Sequence, residues 1–212
     1  KIQENYSQEK FMDDLHKVKL DTIPGFKFRY SNAGAQLLKF ILEKVYKMPY
    51  DKLLKKYISN PLKMKNTNSL YSNNNLKLLA KGYNDKGNIM PYNPQILDAA
   101  GGIFSTVQDM LNYIRFHLDE TNPVVALSHK AVKGNINDYA VGLNWQEMIT
   151  SKKHKKIWQS GGTFGFSSYC VIYPELNIGI ILLTNESDRT AQGRLEEVAD
   201  KIFERINGKD PK

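Results

Sequence analysis

Trp158-Gln159-Ser160-Gly161-Gly162-Thr163-Phe164-Gly165-Phe166-Ser167-Ser168-Tyr169 reads as a strand entering a sheet. Its second half alternates rings with hydroxyls and runs on into the apolar Cys170-Val171-Ile172-Tyr173. Gly161, Gly162 and Gly165 fall at its start. Without a Cβ, these positions let another backbone or a ligand come close to one edge of the strand. Taken alone, a Gly-Gly pair is a strand with a bulge. The functional reading gains weight from a second stretch far upstream, Phe28-Arg29-Tyr30-Ser31-Asn32.

Around the quoted strand, the chain changes to period two after Pro123, with strand candidates over residues 139–148, 155–160, 166–173 and 179–185. Pro174-Glu175-Leu176-Asn177 is the tightest of their turns. Consecutive strands on short links pair antiparallel, so the spacing predicts a meander. A closing helix over residues 190–206 carries Leu195, Val198, Ile202 and Ile206 on the face that would pack on it.

Upstream the period is helical. Ser7 caps a short helix over residues 8–17, with Phe11, Met12, Leu15 and Val18 on one face. A Pro24-Gly25 turn leads to an extended piece, residues 26–30, and then to an amphipathic helix running to Val45. Ser31 or Asn32 is its N-cap, which is the plain structural reading of Tyr30-Ser31-Asn32. Pro49-Tyr50 opens a helix to about Tyr57, and residues 66–98 form a loop-rich excursion of the kind that builds binding edges. Gly101-Gly102-Ile103-Phe104-Ser105 turns into the strongest helix, with Ser105 and Gln108 as a capping box and Met110, Leu111, Ile114 and Leu118 at helical spacing. Helices first, sheet second and closing helix last predict an α+β fold. The same order predicts one domain, mainly helical over residues 1–122, with the antiparallel sheet and C-terminal helix over residues 123–212.

Composition narrows the function. The net charge of +8 comes from lysine scattered over the 212 residues rather than from an arginine-rich stripe, which argues against nucleic acid. The densest run, Lys152-Lys153-His154-Lys155-Lys156, reads as a hairpin tip. Cys170 is the only cysteine, set in an apolar strand, so it reads as a buried, inert thiol with no disulfide partner in this chain. His16, His117, His129 and His154 show no metal-ligand spacing, and no metal or organic cofactor is expected. No stretch reaches transmembrane length. The chain begins at Lys1 without a methionine, so its true start is expected elsewhere.

The aromatic-flanked Tyr30-Ser31-Asn32, the Gly101-Gly102-Ile103-Phe104-Ser105-Thr106-x-x-Asp109-Met110 stretch and Trp158-x-Ser160-Gly161-Gly162-Thr163-x-Gly165-Phe166 together resemble serine β-lactamase-related proteins. The branch is that of class C β-lactamases, D-alanyl-D-alanine carboxypeptidases (penicillin-binding protein-like), D-aminopeptidases and related esterases. The resemblance runs over residues 6–207. That family uses S-x-x-K, Y-x-N and a K-T-G-like triplet. Tyr30 and Asn32 match Y-x-N, and Gln159-Ser160-Gly161 falls on the K-T-G position, with neutral Gln159 where lysine or histidine is usual. The only S-x-x-K, Ser7-Gln8-Glu9-Lys10, stands too close to Tyr30 for the family order. The nucleophile is therefore expected upstream of Lys1, which makes this chain a C-terminal portion, inactive alone.

The resemblance implies acyl transfer to water through a serine acyl-enzyme, on a D-peptide, β-lactam or ester. Tyr30 would move the proton, Asn32 would orient the lysine and the substrate amide, and the Gly162 N–H would be one oxyanion donor. Gln159, Ser160, Gly161 and Thr163 would line an edge taking an extended substrate. The implied partners are that small substrate and the missing N-terminal segment of the same protein. The implied location is the cell envelope, periplasmic or secreted. Two alternatives stand beside this reading: an inactive family member that binds peptidoglycan or a partner protein, motivated by Gln159, and a basic nucleic-acid-binding module.

Overall fold

The computed structural model describes residues 7–69, 78–91 and 98–208. Part of the loop-rich excursion predicted over residues 66–98 lies outside them. Helix α1 (Gln8–His16) starts where Ser7 Oγ accepts the Lys10 amide at 3.1 Å, so the serine is the cap that the sequence indicates. Helix α2 (Asn32–Tyr46) starts in the same way, with Ser31 Oγ accepting the Gly34 amide at 3.1 Å. Phe11 meets Phe40 edge-on at 5.4 Å and holds the two helices together. Helix α3 (Tyr50–Leu54) runs on into a π turn, Lys55–Ser59, so the helix expected from Pro49 widens in its last stretch.

Three features correct the sequence reading of the middle of the chain. Helix α5 (Val107–Leu118) is capped by Thr106, whose Oγ1 accepts the Asp109 amide at 3.2 Å, and not by a Ser105/Gln108 box. The buried Asp109 carboxylate decides this, because it accepts from Asn66 N at 2.7 Å and Thr67 Oγ1 at 2.8 Å and so ties the first turn to the preceding loop. A four-residue helix, α4 (Asp98–Gly101), precedes it. After Pro123 the chain first makes another helix, α6 (Pro123–Ser128), capped by Asn122 with the proline in its first turn. The period-two pattern starts only beyond it.

The main sheet has six strands in the order β2-β3-β4-β5-β6-β7: β2 (Lys133–Asn135), β3 (Tyr139–Val141), β4 (Gln146–Ile149), β5 (Lys155–Thr163), β6 (Phe166–Tyr173) and β7 (Ile178–Thr184). Every neighbouring pair is antiparallel, which is the predicted meander. Two strands were not legible: β2 is exposed at all three residues, and the candidate at residues 139–148 splits at a turn where Asn144 takes φ 68. A small parallel pair joins β1 (Tyr83–Asn84) to β8 (Glu186–Ser187).

The closing helix, α7 (Ala191–Asn207), packs on one face of the sheet through Ala199 and Phe203 against Trp158, Tyr169, Val171 and Tyr173. The Tyr173 and Phe203 rings stack at 3.8 Å. On the opposite face Ile114 of α5 packs with Ile157, Cys170 and Ile172. The sheet is thus covered on both faces at its centre, and Cys170 is buried there with its thiol pushed up to about 12 by loss of solvent. The lysine run is only partly a hairpin tip. Its last two members belong to β5, and Lys156 is 7% exposed, clamped by Glu196 at 3.2 Å and Asp200 at 2.9 Å of α7.

Candidate active site

Strand β5 pairs with β4 only over residues 155–158, whereas it pairs with β6 as far as Thr163. Among the described residues, the edge of residues 159–163 that faces away from β6 carries no partner strand. In an antiparallel strand the residues alternate in sending their N–H and C=O to one side or the other, so this edge presents unpaired main-chain groups to whatever lies alongside. The five residues on it are Gln159, Ser160, Gly161 and Thr163, which the resemblance implies as substrate-binding, and Gly162, which it implies as an oxyanion donor.

The glycines serve close approach. A Cβ on Gly162 would stand 2.4 Å from Nε2 of Gln192 in the first turn of α7, so that amide covers the α-carbon directly. A Cβ on Gly101 would come within 2.7 Å of Thr163 Cγ2, which lets α4 end against β5. At the turn into β6, Gly165 takes φ +82 and lies on the Gly82 backbone. The Tyr83 amide donates to both Gly165 O at 3.2 Å and Asn185 O at 2.9 Å, so the β1–β8 pair braces that end of the strand.

The helix that follows Tyr30-Ser31-Asn32 reaches the same strand through α4. Gln36 of α2, 5% exposed, donates Nε2 to Asp98 Oδ1 at 3.2 Å and accepts the Ala99 amide at 3.3 Å. Lys39 meets Asp98 Oδ2 at 2.6 Å. Three contacts from two side chains therefore seat α2 on α4, and Gly101 seats α4 on Thr163. Asp98 also bears on Tyr50, whose hydroxyl is held above its usual range by burial first and the nearby carboxylate second.

Tyr30 stands one residue before the cap and is 64% exposed, so its phenol lies open to solvent. Asn32 is the first residue of α2 and is exposed. The structure thus puts the five strand residues on one edge, and it puts Tyr30 and Asn32 at the head of the helix that α4 docks against that strand.

Sequence reasoning missed the support of Gln159. Gln146 of β4 donates Nε2 to Gln159 Oε1 at 3.0 Å, and Tyr139 of β3 donates its hydroxyl to Gln146 Oε1 at 3.0 Å. Only the register reveals these partners, since Gln146 lies opposite Trp158 across the ladder. Gln192 and Asp98 were likewise invisible, their roles being set by helix docking rather than by any local pattern.

A model of the family described as Beta-lactamase matches residues 1–202. The chain is 30% identical over 207 residues to Protein flp of Staphylococcus aureus (strain N315), covering 92% of this chain and 38% of that protein. It is 25% identical over 216 residues to the D-alanyl-D-alanine-carboxypeptidase/endopeptidase AmpH of Escherichia coli (strain K12), covering 93% and 55%. Among solved structures, a class C beta lactamase from Rhodobacter sphaeroides superposes with a TM-score of 0.81 at 20% identity, covering 96% of this chain and 67% of that one. A beta-lactamase/D-alanine carboxypeptidase from Pseudomonas syringae gives 0.80 at 17% identity, covering 97% and 66%. The chain therefore spans well under two thirds of the length of the curated relatives it matches.

Proposed function

Because this chain belongs to the beta-lactamase family, we propose that it forms the C-terminal part of a serine hydrolase that transfers an acyl group from an amide or ester to water. The observation that carries the reading is the bare edge of β5 at residues 159–163, joined through α4 to the helix headed by Tyr30. An extended peptide-like substrate lies along that edge as an added strand. The serine and its lysine come from a segment of the same protein outside this chain, so the chain alone is inactive.

A serine hydroxyl attacks a carbonyl only as its proton leaves. Tyr30, having handed its own proton to the lysine, takes the serine proton as the Oγ–C bond forms and returns it to the leaving nitrogen or oxygen as the acyl bond breaks. Water then repeats the exchange and frees the acid. Asn32 orients the lysine and the substrate amide, and the Gly162 N–H donates to the tetrahedral oxyanion. The exposed apolar side chains of the helical part, among them Leu20, Phe26, Phe28, Leu38, Ile41 and Val45, support docking of further chain there. The proposed location is the cell envelope or its exterior, and among the described residues no helix is long and apolar enough to cross a membrane.

The test is turnover by the intact protein of nitrocefin, D-alanyl peptides and p-nitrophenyl esters. Tyr30→Phe is expected to lower kcat/KM on its best substrate by about 10²–10⁴-fold. A Tyr30→Phe protein as active as the parent would overturn the assignment. The second reading, a family member without catalysis, is favoured by the neutral Gln159; an intact protein inert toward all three substrate classes would select it.

A further inference from the structure

The open edge of β5 is lined by neutral side chains throughout, in a protein of net charge +8. Four of the cations near this strand are occupied by the chain's own carboxylates. Lys155 is held by Glu120 at 2.8 Å, and Lys156 by Glu196 and Asp200 at 3.2 and 2.9 Å. Lys39 is held by Asp98 at 2.6 Å, and Arg194 by Glu186 at 3.3 Å and Asp188 at 2.8 Å. What the strand itself offers at its first open position is an amide whose orientation is fixed. Gln159 Oε1 accepts from Gln146, and Gln146 Oε1 accepts from Tyr139, so the oxygen of Gln159 is spent inside the sheet. Its NH₂ group, two donors without charge, is left to meet a ligand.

We propose that this site selects substrates presenting an uncharged carbonyl, an ester or a carboxamide, to Gln159 and discriminates against a carboxylate there. Gln146 and Tyr139 act as positioning residues. The proposal rests on the hydrolase reading above and names its substrate class. A carboxylate leaving water for a neutral donor gains a charge-assisted hydrogen bond but no counter-charge, and the hydration it loses is the larger of the two. A neutral carbonyl has less hydration to lose and gains the same donor. The relay matters because a free glutamine could turn its amide over and present either end.

The experiment uses the intact protein and a matched pair of D-alanyl-D-alanine peptides, identical at the scissile amide and ending either in a free carboxylate or in a carboxamide. The carboxamide is expected to show kcat/KM about ten-fold or more above the acid, a modest share of what an uncompensated charge loses on leaving water. Gln159→Lys should invert the ratio. Gln146→Leu, which releases the Gln159 amide, should shrink it towards one through KM rather than kcat, and Tyr139→Phe should do so to a lesser degree. If neither peptide is cleaved, the hydrolase reading fails on its own. Calorimetric binding of the same pair then decides the proposal, with the carboxamide required to bind about ten-fold tighter. Equal or better use of the acid in either measurement overturns it and transfers carboxylate recognition to Arg189, exposed on the loop before α7.

Discussion

Replacing His117 by glutamine tests how the far end of the sheet is built. His117 is 6% exposed, its Nδ1 lies 3.1 Å from Nε2 of His129, and His129 Nδ1 lies 2.9 Å from Glu120 Oε1. Lys155 Nζ sits 2.8 Å from that same oxygen and 4.0 Å from Glu147, which is 1% exposed and, among the described residues, accepts no hydrogen bond at either oxygen. Burial first and the neighbouring His129 second push His117 down to about 4 from 6.5. The unfolded chain therefore takes up this proton near its ordinary value, while the folded chain takes it up only near the lower one. As pH falls between those limits, protonation favours the unfolded state and stability is lost. Between pH 7 and about pH 4.5 the His117 contribution amounts to about 2 kcal/mol of lost stability.

Glutamine keeps a hydrogen-bonding group beside His129 but does not titrate. Urea denaturation followed by the fluorescence of Trp145, whose ring lies 4.9 Å from His117, reads the difference. The parent should lose about 2 kcal/mol more than the variant over that pH interval. Burial pushes the Glu120 carboxyl up, but hydrogen bonds from Lys155 and His129 and their charge hold it low on balance, so its contribution is lost on acidification in both proteins. Glu147, raised by burial, gains it in both. His129, lowered chiefly by burial, titrates in both as well. Parallel stability curves for parent and variant would refute the reasoning.

Two further outcomes follow from packing. Lys156→Met removes the cation that ties β5 to α7 and leaves Glu196 and Asp200, each nearly half exposed, without it; the cost should be about 1–2 kcal/mol in urea, below that of a fully buried pair. Gly179→Ala would set a Cβ 2.2 Å from Ile114 Cγ2, and this overpacking between β7 and α5 should cost about 1–3 kcal/mol, read as a lower Tm. A Gly179→Ala protein as stable as its parent would mean that α5 is not seated as described.

The parts of the fold that the sequence disclosed are those in which periodicity and burial coincide. Helix α7 repeats cleanly because it presents one face to a core, and β6 reads as an apolar run because both its faces are covered, whereas α2 announces itself by Ser31 and by apolar periodicity although Leu38, Ile41 and Val45 stay exposed. The parts that stayed hidden answer to distant partners. Strand β2 has no buried residue to betray it, α4 is four residues long, and the α5 cap moved to Thr106 because Asp109 had partners 42 and 43 residues away. The site shows the same division. Tyr30, Asn32 and the glycine-rich strand were readable as motif residues. Their supports, Asp98, Gln146, Tyr139 and Gln192, are ordinary residues made significant only by register and docking.

The central claim is that the bare edge of β5 and the head of α2 serve a serine supplied from outside this chain. Mapping the adduct formed when the intact protein is incubated with a fluorophosphonate or a penicillin tests it most directly. The account predicts one stoichiometric adduct, on a serine preceding Lys1, formed about 10²-fold or more slowly in Tyr30→Phe. An adduct on a serine within the chain, Ser7 or Ser160 for example, or labelling indifferent to Tyr30, would contradict it.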